Sequence, residues 1–312
     1  PSYKSNQFNK LSKEYWQDLN NNIYRPLINK TIQTSYPPGS IFKLITIIAA
    51  LESGISPNKI INCTGASVIG TNSFRCHKHY GHGNIDMTTS LQYSCNSYMY
   101  EIAKIIGGEK IIDVAKKFGF GVKTGIDLCG EISGFLPSNE WKLKIFKSGW
   151  TIGDSMNIAI GQGALLSTPI QIANFVTSIA NNGKLFIPTI LKKTTKFQTI
   201  DVKQENLDFI KRAMYKVVNN SGGTAYGSKI DNYIIAGKTG TAQVQAKTSA
   251  KDDLNRTTIE WKRRNHASFI GFAPYHSPRY AVSVIVDHGG GGGSTAAPIA
   301  TKILQECLQY EK

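Results

Sequence analysis

The arrangement of apolar and polar positions divides the chain into a helical stretch followed by a strand-rich one. The most apolar segment runs from Ile41 to Leu51, interrupted only by Lys43 and Thr46. It follows Tyr36-Pro37-Pro38-Gly39 and is closed by Glu52-Ser53-Gly54. Its length and Ala/Leu content predict a helix that is apolar all round and therefore buried. The Pro-Gly pair ahead of it fixes the chain's approach and brings Ser40 onto the first turn. A second helix is predicted from Asp86-Met-Thr-Thr-Ser90 through Ile105-Ile106 to a stop at Gly107-Gly108, and a third over about 109–117, stopped at Gly119. Thr168-Pro169 opens a fourth, over 170–180, with proline where a missing N–H costs nothing. Residues 1–36 are polar and turn-rich apart from an amphipathic piece around Tyr15–Leu19, and 55–86 read as irregular. Past residue 230 the period changes. Strands are predicted at 233–236, 267–273 and 280–286, a polar excursion loop at 246–264, and a closing helix at 297–310. Helices first, then strands and a last helix, predict a mixed α/β (α+β) fold in which helices cover a sheet.

Composition narrows this picture. A chain of 312 residues, 41% apolar, can bury a substantial core as one large domain or as a main domain with a small subdomain. Lys and Arg total 36 against 21 Asp and Glu, a net charge of +15 that favours anionic surroundings. The one basic run beside an aromatic, Trp261-Lys262-Arg263-Arg264, is too short for a nucleic-acid module, so a solvated basic face near a membrane or cell wall is expected and no nucleic-acid partner. No apolar run reaches the roughly 18 residues of a membrane span. The opening Pro1-Ser2-Tyr3-Lys4 lacks an initiator Met and a signal-peptide pattern, which predicts a piece of a longer chain. Five cysteines, at 63, 76, 95, 129 and 307, are an odd number and argue against a fully paired disulfide framework.

The candidate chemistry begins with Ser40-x-x-Lys43. Three residues apart on a helix, a hydroxyl and an amine share one side. Burial makes an amine easier to deprotonate, so Lys43 can accept the proton of an attacking serine. Alone this spacing is common; its weight comes from Lys43 lying between Phe42 and Leu44 in an apolar helix, where a lysine needs a partner. Ser94-Cys95-Asn96 falls within the second predicted helix, and Lys238-Thr239-Gly240-Thr241 follows the strand expected at 233–236. Ser94 could relay a proton and Asn96 could bind a substrate amide. Lys238 would place a positive charge at the site mouth, Gly240 would let a substrate backbone run along the strand edge, and Thr239 or Thr241 could hold a carboxylate. The backbone N–H groups of Ser40 and Thr241 are the natural oxyanion donors.

In order and spacing these three motifs resemble those of penicillin-binding proteins and serine β-lactamases. Finer matches, Tyr36-Pro-Pro-Gly-Ser40, Gly81-His-Gly83, Gly161-Gln-Gly163 with Thr168-Pro169, Ile179-Ala-Asn-Asn-Gly183 and Gly271-Phe-Ala-Pro274, resemble the elongation-specific penicillin-binding protein 2 group of class B transpeptidase domains. The resemblance covers nearly all of 1–312. It implies one transpeptidase domain, with about 50–230 mostly helical and 231–312 supplying strands and the C-terminal helix. The fold implied is an antiparallel sheet flanked by helices plus an all-helical part. It also implies D,D-transpeptidation of peptidoglycan stem peptides through a Ser40 acyl-enzyme, and acylation by β-lactams. The family's membrane helix and pedestal are not in this sequence; their presence elsewhere would place the catalytic domain in the periplasm on a bacterial inner membrane, beside a glycosyltransferase of the elongation machinery. One departure is Ala267-Ser268, where the group often has an aromatic before Phe269.

Cys63, Cys76, His82 and Cys95 supply three thiolates and an imidazole within a stretch poor in large apolar residues. Such a set suits tetrahedral Zn²⁺ in a structural role, and a metal can replace a core there. Some members of the resembled group carry zinc in this region through acidic, His and Cys ligands; the matching positions here make a Cys3His set. His77 and His79 are alternative ligands, and each cysteine could equally be a small buried hydrophobe. For Cys129 and Cys307, a mutual bond and plain burial both stay open. A β-lactamase would need a glutamate to activate a deacylating water, for which only Glu131 and Glu140 are available. A D,D-carboxypeptidase and a β-lactam-sensing or silent domain are the other readings.

Overall fold

The computed structural model describes residues 2–244 and 260–310. Most of the excursion loop expected at 246–264 lies outside these; its end forms a short 3-10 turn, Trp261–Arg263. Strands Ala236–Ala242, His266–Ala273 and Tyr280–Val286 make an antiparallel sheet in that order, so among the described residues Ala236–Ala242 is an edge. The middle strand shows the two-residue alternation of a strand buried on both faces. Ile270 and Phe272 join the core built around helix Lys43–Glu52, whereas Ala267, Phe269 and Ala273 meet Ala297, Ala300 and Leu304 of helix Ala297–Gln309. Helices thus cover both faces, as the element order predicts. The strand expected at 233–236 is displaced: pairing starts only at Ala236, and the Lys-Thr-Gly segment is itself the strand. Ile234 and Ile235 are drawn off the ladder because their carbonyls accept from Tyr275 N and Asn219 Nδ2.

In the helical part every residue from Lys43 to Leu51 is buried, and Phe42 packs edge-on against Phe120 at 5.5 Å. Ser40 lies not on the helix but in a 3-10 turn, Gly39–Ile41, just ahead of it. The second predicted helix is two, Met87–Gln92 and Asn96–Ile106, so Ser94 and Cys95 occupy the break instead of a helix interior. Asp86 caps the first and the Cys95 sulfur caps the second, while Ser94 takes a left-handed φ of 56° between them. Helices Gly108–Lys117 and Pro169–Ala180 fall where expected, the latter with a complete capping box from Thr168 and Gln171. Three further helices, Asn139–Phe146, Ile152–Ala159 and Gln204–Asn219, have no counterpart in the sequence reading; the last packs against the edge strand. The supposedly irregular 55–86 contains two short antiparallel pairs, Ile61–Cys63 with Gly83–Ile85 and Ala66–Ile69 with Asn72–Arg75. Among the described residues no helix is long and apolar enough to cross a membrane.

Candidate active site and metal cluster

The turn carrying Ser40 is held by backbone on two sides. Gly39 N donates to Gly161 O at 3.0 Å, and Tyr36 and Ser167 exchange bonds of 2.9 and 2.8 Å. A Cβ on Gly161 would stand 2.2 Å from Gly39 O, and one on Gly39, where φ is 57°, would stand 2.9 Å from Thr241 O. These distances forbid any side chain, which explains Gly161 of the Gly161-Gln-Gly163 segment and places Ser40 beside the edge strand at Thr241. Gly240 serves the same packing. Its absent Cβ would meet Ser268 Oγ at 2.2 Å, Ile41 Cγ1 at 3.1 Å and Pro38 O at 3.2 Å. The departure at Ala267-Ser268 therefore sits directly behind the third motif, where the Ser268 hydroxyl is buried with no hydrogen-bond partner.

Two fully buried amines converge on the helix break. Lys43 Nζ donates to Ser94 O at 2.7 Å, Ser94 Oγ at 3.3 Å and Asn96 Oδ1 at 2.6 Å. Lys238 Nζ donates to the same Ser94 Oγ at 2.9 Å and to Thr239 O at 3.2 Å. Burial brings Lys43 down to about 8, and burial followed by the charge of Lys43 lowers Lys238 well below the usual lysine range. Ser40, Lys43, Ser94, Asn96 and the strand 238–241 are thus brought to one place. Two expectations are corrected. Lys238 is no mouth charge but an interior amine aimed at Ser94. Lys43 reaches the Ser94–Asn96 turn, and Ser40 Oγ is not among its hydrogen-bond partners. Asn96 has both ends of its amide engaged, Oδ1 by Lys43 and Nδ2 on Arg75 O at 3.3 Å.

Sequence reasoning missed two contributors. Thr224 Oγ1 lies 2.6 Å from Thr239 Oγ1, on a loop tied to helix Met87–Gln92 through Gln92 Nε2 and Ser221 O at 2.9 Å. Gly292 N donates to Thr241 Oγ1 at 3.3 Å, and a Cβ there would be 2.2 Å from Gly240 O. The run Gly289–Gly293 was the available signal. Neither glutamate is placed as a deacylating base. Glu131 accepts from Thr124 N, Thr124 Oγ1 and Gly125 N at 2.6–3.0 Å, and Glu140 is exposed on helix Asn139–Phe146.

Behind the helix break, ligand atoms of Cys63, Cys76, His82 and Cys95 all lie within 4.8 Å of one another. His82 Nδ1 stands 3.5 Å from Cys63 Sγ and 3.6 Å from Cys76 Sγ, and Cys76 Sγ stands 3.9 Å from Cys95 Sγ. A tetrahedral ion with bonds of about 2.3 Å to sulfur and about 2.0 Å to nitrogen separates its ligands by about 3.8 Å (S to S) and about 3.5 Å (S to N). The spacing fits a metal of that size. The hydrogen bond from Cys95 holds the Cys76 thiol far below its ordinary range, and the same contact raises Cys95. His77 Nδ1 stands 3.9 Å from Cys76 Sγ and its ring lies 5.1 Å from that of His82, but neither it nor His79 joins the group of four. Gly81, at φ 78° with Cys63 O 1.9 Å from where its Cβ would be, delivers His82 to the cluster. All five cysteines are free, Cys129 exposed and Cys307 partly buried, so no bond joins that pair.

The penicillin binding protein transpeptidase domain family matches residues 1–305. The chain belongs to that family. It is similar to the peptidoglycan D,D-transpeptidase MrdA of Haemophilus influenzae, 35% identical over 99% of this chain and 50% of that protein. Among solved structures it is similar to the penicillin-binding protein PBP2 of Helicobacter pylori, with TM-score 0.89 and 34% identity over 99% of this chain and 56% of the other. A complex of that PBP2 with MreC also matches, with TM-score 0.87 and 34% identity over 96% of this chain and 54% of the other. The chain spans about half the length of the curated relatives it matches. The transpeptidase-family fold, a mixed α/β fold with an antiparallel sheet and helices on both faces, is the one expected from the motifs.

Proposed function

We propose that this domain is a peptidoglycan D,D-transpeptidase, acylated on Ser40 by the stem peptide and by β-lactams alike. The observation that carries this is the meeting of two buried amines on one hydroxyl, Ser94 Oγ, beside a serine turn packed on an edge strand. An unpaired edge can accept an extended peptide as an added strand. Ser40 Oγ attacks the penultimate D-Ala carbonyl, its proton passing to Lys43 directly or through Ser94. The N–H groups of Ser40 and Thr241 hold the oxyanion, and Thr239 and Thr241 the terminal carboxylate. The peptide C–N bond breaks and terminal D-Ala leaves with the proton; the amine of a neighbouring stem then takes the acyl group, and the proton it loses returns through Lys43 to Ser40 Oγ. Asn96 positions Lys43 and can turn its amide to the substrate; Lys238 orients Ser94.

The four-ligand cluster would hold a structural Zn²⁺, keeping Cys95 and hence the second motif in place without touching the reacting atoms. The likeness to MrdA and PBP2, with the resemblance of the motifs to the elongation-specific group, supports association with a bacterial inner membrane through a segment outside 1–312. The matched PBP2–MreC complex supports a protein partner of that kind, while exposure to the periplasm and a neighbouring glycosyltransferase are proposed on the family resemblance alone. Intact-mass spectrometry under native conditions, with and without benzylpenicillin, tests both parts. One adduct mapping to Ser40, lasting hours and lost in Ser40→Ala, is expected together with one retained zinc. No adduct, or one cleared in milliseconds, overturns the transpeptidase reading; zinc below stoichiometry overturns the metal.

A further inference from the structure

Three thiols in one cluster can bind an ion, and two of them are also close enough to bond to each other. Cys76 Sγ and Cys95 Sγ are in direct sulfur–sulfur contact at 3.9 Å while both are free; His82 Nδ1 stands beside Cys63 at 3.5 Å and Cys76 at 3.6 Å. We infer that Cys76 and Cys95 form a disulfide when the cluster lacks its ion and meets a disulfide oxidant, so that covalent closure competes with metal. This rests on the metal reading above and adds a second state to it.

The pair is reachable from one side. Cys76 is buried, but the chain leaves it directly into the exposed segment His77–Tyr80, while Cys95 lies deeper at the helix break. The Cys76 thiolate attacks the sulfur of a small disulfide such as oxidised glutathione, forming a mixed disulfide and expelling one glutathione thiolate. The Cys95 thiolate then attacks Cys76 sulfur and expels the second. Two protein thiols are oxidised, one glutathione disulfide is reduced to two glutathiones, and the protein's two thiol protons pass to them or to solvent.

Closure acts on the active site through backbone. A disulfide draws the sulfurs to about 2.05 Å. Each sulfur presently accepts from a main-chain amide, Cys76 from Asn96 N and Cys95 from Tyr98 N, both at 3.4 Å. Moving them shifts Ser94–Asn96, whose carbonyl and amide oxygens hold Lys43 at 2.7 and 2.6 Å. The oxidised protein thus has a displaced second motif.

The test strips the protein with a chelator, adds oxidised glutathione, and maps disulfides by non-reducing peptide mass spectrometry. Acylation by fluorescent penicillin is timed on the same sample. A Cys76–Cys95 link is expected, prevented by prior zinc loading, with acylation slowed about tenfold or more and recovered by reductant plus zinc. Cys63→Ser should still form the link and Cys95→Ser should not. Links scattered to Cys129 or Cys307, equal oxidation of zinc-loaded and stripped protein, loss of the link in Cys63→Ser, or undiminished acylation of the linked protein would each overturn the inference. Failure of the transpeptidase reading is seen separately, as absence of a penicillin adduct on reduced, zinc-loaded protein.

Discussion

On one side of Ser40 stands the edge strand Ala236–Ala242, fixed by a seven-residue ladder, an apolar core on each face and glycine contacts too close for any side chain. On the other stand pairs of three- and four-residue strands and a broken helix, gathered around sulfur and imidazole. Short strand pairs are marginal by themselves. The first wall is ordered by packing along its whole length; the second packs on the core through Ile85, Leu91 and Tyr98 and carries the sulfur–imidazole cluster as well. A site whose walls differ in this way can lose one without the other.

Lys43 spans the two walls, since it rises from the buried helix and bonds only to the broken one. Lys43→Ala should lower the rate of penicillin acylation about 10³-fold or more, with circular dichroism unchanged; near-normal acylation would remove it as the base. Chelation should raise amide exchange across 61–100 about a hundredfold while leaving 236–242 protected. Exchange spreading into the strand would show that the walls are not independent. Gly240→Ala presses a methyl onto Ser268 Oγ and should cost about 2 kcal/mol in denaturant unfolding. Adding Ser268→Ala should return about 1 kcal/mol, because it removes both the clash and an unpartnered hydroxyl. Finally, Lys43 must be uncharged to take the serine's proton. With its amine near 8, chiefly through burial, acylation should rise about tenfold from about pH 7 to about pH 9. A flat profile across that range would contradict the neutral-base role.

What was readable in the residues follows the same division. Ser40, Lys43 and the four clustered residues stand out because residue type marks them: a lysine in an apolar helix, or three cysteines in one short stretch, needs a reason. The break at Ser94 was not found, because serine has no intrinsic preference for a left-handed φ; caps from Asp86 and Cys95 and the pull of Lys43 on its carbonyl impose it. The strand at 236–242 was placed too early because Ala, Gly, Lys and Thr make a poor strand alone, and pairing with His266–Ala273 supplies what propensity lacks. Lys238 reads as a charge at the site mouth because nothing local in the sequence marks the Ser94 turn at which it is aimed. Helix Gln204–Asn219 is legible in the sequence, with Leu207, Ile210, Met214 and Val217 on one buried face, although it carries none of the three motifs.

The seam between Gly39 and Gly161 also governs when a newly made chain becomes reactive. Bringing these positions together closes a long loop, which is entropically slow and comes late relative to local helices. In a refolding experiment, helical signal should therefore return before the serine can be trapped by a penicillin, making covalent capture a timer for the last long-range step of assembly.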